Sequence, residues 1–356
     1  VLATGLLFLS SGLFLGWSLG ANDAANVFGS AVGSRMLRFS TAALLCSVFV
    51  ILGAVSAGAG ASAGLGQLGA VNALAGSFTT ALAAALTVAG MTRAGLPVSS
   101  TQAVVGAIVG WNWFSGAATD LSQLSRIVAT WVLCPLLAGL AAAGLHLAGA
   151  CLLQRSRLHL LRLDAVLRLG LILAGVFGSY SLGANNIGNV MGVFVPAAPF
   201  PAVSLPGGLL LSGMQQLFLL GGLAIAIGVC TQSRPVMLTV GHSLMPLSPF
   251  GALVVVLAQG LVLFLFSSEG LADALAGLGL PPIPLVPVSS SQALIGAVVG
   301  VALRQGRRGL RQVRWGMLAR IASGWLSTPL LAAVLGYVLL FVVQNVFGQV
   351  VVALPG

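Results

Sequence analysis

The stretch SLGANDAANVFG, Ser18 to Gly29, returns as SLGANNIGNVMG at Ser181 to Gly192. Both copies set asparagines, and the first an aspartate, into a run that is otherwise apolar. Two more blocks recur in the same order. PVSSTQAVVGAIVG (97–110) is answered by PVSSSQALIGAVVG (287–300), and RIVATWVLCPLLA (126–138) by RIASGWLSTPLLA (320–332). Three long matches in one order point to an internal duplication.

The surroundings of these blocks set the solvent. Of 356 residues, 58% are hydrophobic and 6% charged, against about 25% charged in a soluble domain. Such a chain cannot cover itself with water-facing groups, so it is read as a polytopic membrane protein with a lipid bilayer around it. The apolar start VLATGLLFLSSGLFLGW resembles a signal peptide, but the residues that follow it recur in mid-chain, where nothing is cleaved. Cys46, Cys134, Cys151 and Cys230 stand singly, without metal-ligand spacing, and read as core thiols.

Ten hydrophobic segments are expected, five per half: 4–32, 41–60, 72–92, 97–114 and 126–153, then 169–195, 208–230, 235–266, 282–303 and 315–347. An odd number per half makes the second half enter the membrane from the opposite side. The net charge of +10 comes from arginine alone, so it signals orientation and not nucleic acid. With both termini outside, Arg35, Arg38, Arg93, Arg155, Arg157, Arg162, Arg168, Arg234 and the 304–314 arginines fall inside. Only Arg126 falls outside, with Asp120, Glu269 and Asp273. The predicted fold is therefore an all-α inverted-topology repeat with re-entrant or broken helices. Its parts are a first repeat over 1–154, a basic cytoplasmic linker over 155–168, and a second repeat over 169–356, in the plasma (inner) membrane.

The PVSS blocks offer donors. Proline suits a helix's first turn and serine its cap, and a helix start presents free N–H groups with partial positive charge. Ser99, Ser100, Thr101 and Gln102 with Ser289, Ser290, Ser291 and Gln292 would form an anion cradle. Capping and close helix packing would use the same residues. Gly95 and the PPIPLVP stretch (281–287) suggest broken backbone ahead of both helices. The Gly-Ala-Asn blocks offer oxygen ligands for a small cation: Asn22, Asp23, Asn26, Asn185, Asn186, Asn189, and carbonyls freed near Gly20 and Gly183. Asp23 is the one acid inside a predicted segment, at a cost of about 2.5–3.5 kcal/mol on insertion scales, which marks it as a functional candidate.

Other signals carry less. GLGQLG (64–69) lacks the strand–turn–helix context of a dinucleotide site. His242 reads as a polar residue near a helix end. Arg126 and Arg320 hold matching places and either snorkel or attract anions. Trp131 and Trp325 read as packing residues. No cluster of nucleophile and base supports an enzyme.

Taken together, GANDAANVFGSAVGSR, its second copy and the paired PVSS[TS]Q blocks resemble the inorganic phosphate transporter family of secondary carriers, over essentially the whole chain. The resemblance implies an inverted-repeat carrier, homodimeric, needing no cofactor, that binds phosphate at the repeat interface and couples it to Na⁺ or H⁺. It implies anion ligands among Ser99, Ser100, Thr101, Ser289, Ser290 and Ser291, with Gln102 and Gln292 nearby. The cation ligands would be the six Gly-Ala-Asn residues, with Asp23 the candidate for Na⁺. One departure stands out: the family usually carries Gly-Ala-Asn-Asp in both halves, and here the second copy ends in Asn186. The expectation is a symporter of a tetrahedral oxyanion, phosphate first, with a sulfate permease and a passive anion channel as alternatives.

Overall fold

The computed structural model describes residues 2–69, 71–93, 98–156, 159–197, 200–204, 210–243, 245–280 and 283–353. Gly95, Pro97, Pro281 and Pro282, invoked for broken backbone, lie outside the described residues, as does the His242 side chain. The first half comprises α1 (Leu2–Gly33), α2 (Phe39–Ala57), α3 (Ala59–Gly66), α4 (Leu74–Arg93), α5 (Ser100–Ser115) and α6 (Leu121–Ser156). The second comprises α7 (Leu160–Met191), α8 (Gly213–Ser243), α9 (Pro249–Leu265), α10 (Glu269–Gly277), α11 (Ser290–Arg304), α12 (Gly306–Gln312) and α13 (Trp315–Asn345). The described strands are a two-residue antiparallel pair, Val203–Ser204 with Leu210–Leu211.

Among the described residues, six helices are long and apolar enough to cross a membrane: α1, α2, α4, α6, α8 and α13. A seventh crossing is available if α9 and α10, bent by 72° at their junction, act as one. The ten expected segments therefore do not all become spanning helices. Helix α5 has 16 residues and α11 has 15, so each rises about 24 Å or less, short of the roughly 30 Å hydrocarbon core. The segment expected at 235–266 is also wrong. Pro235 lies inside α8, and the chain breaks instead after Ser243, before the Ser248 cap and Pro249 that start α9.

Packing repeats as the sequence does. Helix α1 lies along α8 and α7 along α2, while α5 lies along α13 and α11 along α6. Each contact uses glycines at matching places. A Cβ on Gly20 would strike the Ile225 carbonyl and one on Gly228 the Trp17 carbonyl; Gly183 meets Val50 and Gly53 meets Tyr180 in the same way. Gly106 faces the Pro329 carbonyl and Gly296 that of Pro135, with Gly110 on Ala333 and Gly300 on Gly139. Small residues let helix backbones touch, which is how helices associate where lipid removes the hydrophobic drive. These crossings interleave the two halves.

The glycines correct one expectation. Helices α1 and α7 run unbroken through Gly20 and Gly183, so no carbonyl is freed there. The missing side chains serve close approach, and the helical ladder keeps its carbonyls. Two of the four thiols also depart from expectation: Cys46 and Cys134 are buried, but Cys151 and Cys230 are exposed.

Candidate functional site

The starts of α5 and α11 are built alike. Ser99 caps α5, accepting from the Gln102 N–H at 3.4 Å, and Ser289 caps α11, accepting from the Gln292 N–H at 3.3 Å. Each cap satisfies one N–H of the first turn and leaves others for a ligand. The two starts meet, because the Thr101 hydroxyl donates to the Val288 carbonyl at 3.4 Å. Ser289 and Ser291 hydroxyls are hydrogen-bonded to each other at 3.0 Å.

The asparagine faces of α1 and α7 close on these starts. Asn26 donates to the Ser290 hydroxyl at 3.2 Å, and Asn189 to the Thr101 hydroxyl at 2.9 Å. Asn186 donates to the Asp23 carboxylate at 3.0 Å, and its own carbonyl accepts from Asn185 at 2.9 Å and Asn189 at 3.4 Å. Ser290 also lies beside the Asp23 carboxylate. Thus Asp23, Asn26, Asn185, Asn186, Asn189, Thr101 and Ser290 form one linked network, while the Ser289 and Ser291 hydroxyls pair with each other. The structure does not tie in Asn22, whose amide returns to its own helix at the Ser18 carbonyl, 3.0 Å away.

The two halves differ here. Asn185 grips the stretch before α11 twice, donating to the Val288 carbonyl at 2.7 Å and accepting from the Val288 N–H at 3.0 Å. Asn22, at the matching place in the first copy, makes no such grip. Asn185 and Asn186 are buried, whereas Asn22 and Asp23 are partly exposed. The network is closed on the α7 side and accessible on the α1 side.

Buried polar atoms left without a partner mark remaining capacity. Among the described residues these include Gln102 Oε1, both amide atoms of Gln292, Asn189 Oδ1, and the indole N–H groups of Trp131 and Trp325. Gln102 and Gln292 are repeat mates, as are Trp131 and Trp325, so the unused groups are themselves duplicated. Gln259 was missed by sequence reasoning. It is 1% exposed on α9, and neither amide atom has a partner. The signal was legible, a lone amide in the apolar run PFGALVVVLAQGLVLFL.

This arrangement sets N–H and hydroxyl donors against amide carbonyls and one carboxylate. The first set suits an oxyanion and the second a small hard cation. The sequence profile of the phosphate transporter family matches residues 19–163, 154–275 and 284–354. The chain belongs to the phosphate transporter family. A candidate phosphate permease of Methanocaldococcus jannaschii is 25% identical over 327 residues, covering 92% of this chain and 93% of its own. One from Haemophilus influenzae is 22% identical, covering 94% and 96%. Among solved structures, a sodium-dependent phosphate transporter superposes with a TM-score of 0.75 at 22% identity, over 96% of this chain and 99% of that one. That likeness establishes a common fold.

Proposed function

We propose that the protein is a secondary active transporter that carries inorganic phosphate together with Na⁺ or H⁺, across the plasma membrane of its cell. The observation that carries the reading is the meeting of two capped short helices with two asparagine-bearing helices around a single carboxylate. Membership of a phosphate transporter family supports phosphate as the anion, and the sodium dependence in the name of the structural neighbour supports Na⁺ as the cation. In this reading Ser99, Ser100, Thr101, Ser289, Ser290 and Ser291 hold the anion, with Gln102 and Gln292 beside them. Asp23 and the asparagines hold the cation. The arginine distribution supports the inverted orientation with both termini outside.

The cation is needed on energetic grounds. Moving one elementary charge across 100 mV costs about 2.3 kcal/mol, so an inside-negative cell opposes anion entry. Asp23 is the acid within the site, and it separates a coupled carrier from a passive channel, which needs none. The test is uptake of labelled phosphate into proteoliposomes under imposed Na⁺ or H⁺ gradients, with sulfate as competitor. Asp23→Asn is expected to insert and fold yet lose gradient-driven accumulation. Undiminished accumulation in that variant would move the coupling site elsewhere, and sulfate uptake that excess phosphate leaves untouched would make the protein a sulfate permease.

A further inference from the structure

A cavity away from the asparagine network lies where α3, the start of α6 and the start of α10 meet. Its volume is about 530 Å³, enough for an oxyanion and several waters at about 30 Å³ each. Arg126 on α6 and Glu269 on α10 both line it, together with Gln67 and Gln123. The single ion pair among the described residues joins Arg168 and Asp164, so Arg126 and Glu269 share the cavity without closing on each other. Gln123 is fixed, its amide donating to the Gly64 carbonyl at 2.8 Å. Ile283, Pro284, Leu285 and Val286 complete the lining, and the chain runs on from them within three residues into Val288 and the Ser289 cap. The cavity thus abuts the segment that Asn185 grips.

We propose that this cavity is a selective docking subsite for a protonated tetrahedral oxyanion, ahead of the central site. The inference rests on the transport reading above and adds where the choice between phosphate and sulfate begins. Arg126 supplies N–H donors and charge to the anion's oxygens. Near neutral pH phosphate still carries a proton, and its P–OH donates to the Glu269 carboxylate. Sulfate brings acceptors alone, so its charge meets Glu269 with no proton between them. A cation and a carboxylate facing one cavity suit an anion that both accepts and donates. The site would admit phosphate and turn sulfate away through a repulsive element.

The experiment measures phosphate uptake into proteoliposomes, with KM and kcat separated and sulfate as inhibitor. Arg126→Gln is expected to raise the phosphate KM about five- to tenfold with kcat within about twofold; Arg126→Lys, which keeps the charge, should recover most of the loss. Glu269→Gln should raise the phosphate KM and strengthen sulfate inhibition at least about fivefold, since each tenfold corresponds to about 1.4 kcal/mol of relieved repulsion. An unchanged KM in Arg126→Gln, or unchanged sulfate inhibition in Glu269→Gln, overturns the proposal. So does a fall in kcat without a KM change in both variants, which would make the pair a gate. Absence of phosphate uptake by the parent protein would instead defeat the transport reading, so the two failures are told apart.

Discussion

Asn185 gives the sharpest test of how the site is held, because its repeat mate serves as an internal control. Its side chain satisfies both the N–H and the carbonyl of Val288, and both residues are fully buried. Asn185→Ala leaves the Val288 N–H without a partner and the Val288 carbonyl with the Thr101 hydroxyl alone. At about 1–3 kcal/mol for the buried orphan and about 1 kcal/mol for the bond lost at the carbonyl, the loss is about 2–4 kcal/mol. Asn22→Ala removes one bond to the Ser18 carbonyl of its own helix, worth about 1 kcal/mol, and strands nothing buried. Thermal unfolding of the purified protein in detergent reads the difference. With about 2–4 °C per kcal/mol for chains of 150–250 residues, Asn185→Ala should drop the midpoint by at least about 4 °C. Asn22→Ala should drop it by about 2 °C. Equal drops would refute the asymmetry, since they would mean that both asparagines grip the cradle or that neither does.

The glycine crossings make a second test: Gly183→Ala drives a Cβ into the Val50 carbonyl and should cost about 1–3 kcal/mol through overpacking. Gly90→Ala, with open space around it, should be neutral or stabilising by up to about 1 kcal/mol; similar midpoints for the two would remove the role given to close approach. For orientation, Ala118→Cys and Gln305→Cys occupy exposed positions and, in a background without the native thiols, should label from opposite sides of the membrane. Labelling of both from one side would end the inverted-repeat reading.

The residues of the candidate site stood out in the sequence because polar groups in an apolar segment are costly, and duplication made them visible twice. Their pairing was not. That Asn186 donates to Asp23, or that Thr101 reaches Val288, depends on helices far apart in the chain. The grip of Asn185 and the idleness of Asn22 belong to one conformation, which near-identical motifs cannot encode. Helix boundaries failed for a different reason. A proline such as Pro235 reads as an interruption, yet within a membrane helix neighbouring groups re-satisfy the backbone, and the hydropathy of α8 and α9 barely marks the break between them. Gly20 and Gly183 misled in the opposite direction, since a glycine that permits broken backbone also permits helix contact.

The replaced acid is where sequence and geometry constrain each other most. Asn186 donates to Asp23 at 3.0 Å while its carbonyl accepts from two other asparagines, so Asn186 is engaged at both ends of its amide with one negative charge in the network. An aspartate at 186, as the family pattern has it, would lose that donor and set two carboxylates face to face. Two like charges at about 4 Å repel by about 4 kcal/mol at an effective dielectric constant of about 20, which a cation between them would relieve. Asn186→Asp should therefore lower the thermal midpoint of the protein in Na⁺-free buffer and regain it as Na⁺ is added, with a larger Na⁺-dependent shift than the parent shows. If the second carboxylate adds a cation to the transported set, the Na⁺ dependence of phosphate uptake should steepen as well. A variant as stable as the parent without Na⁺, with an unchanged Na⁺ response, would mean that the Asp23–Asn186 contact does not set how many cations the site can hold.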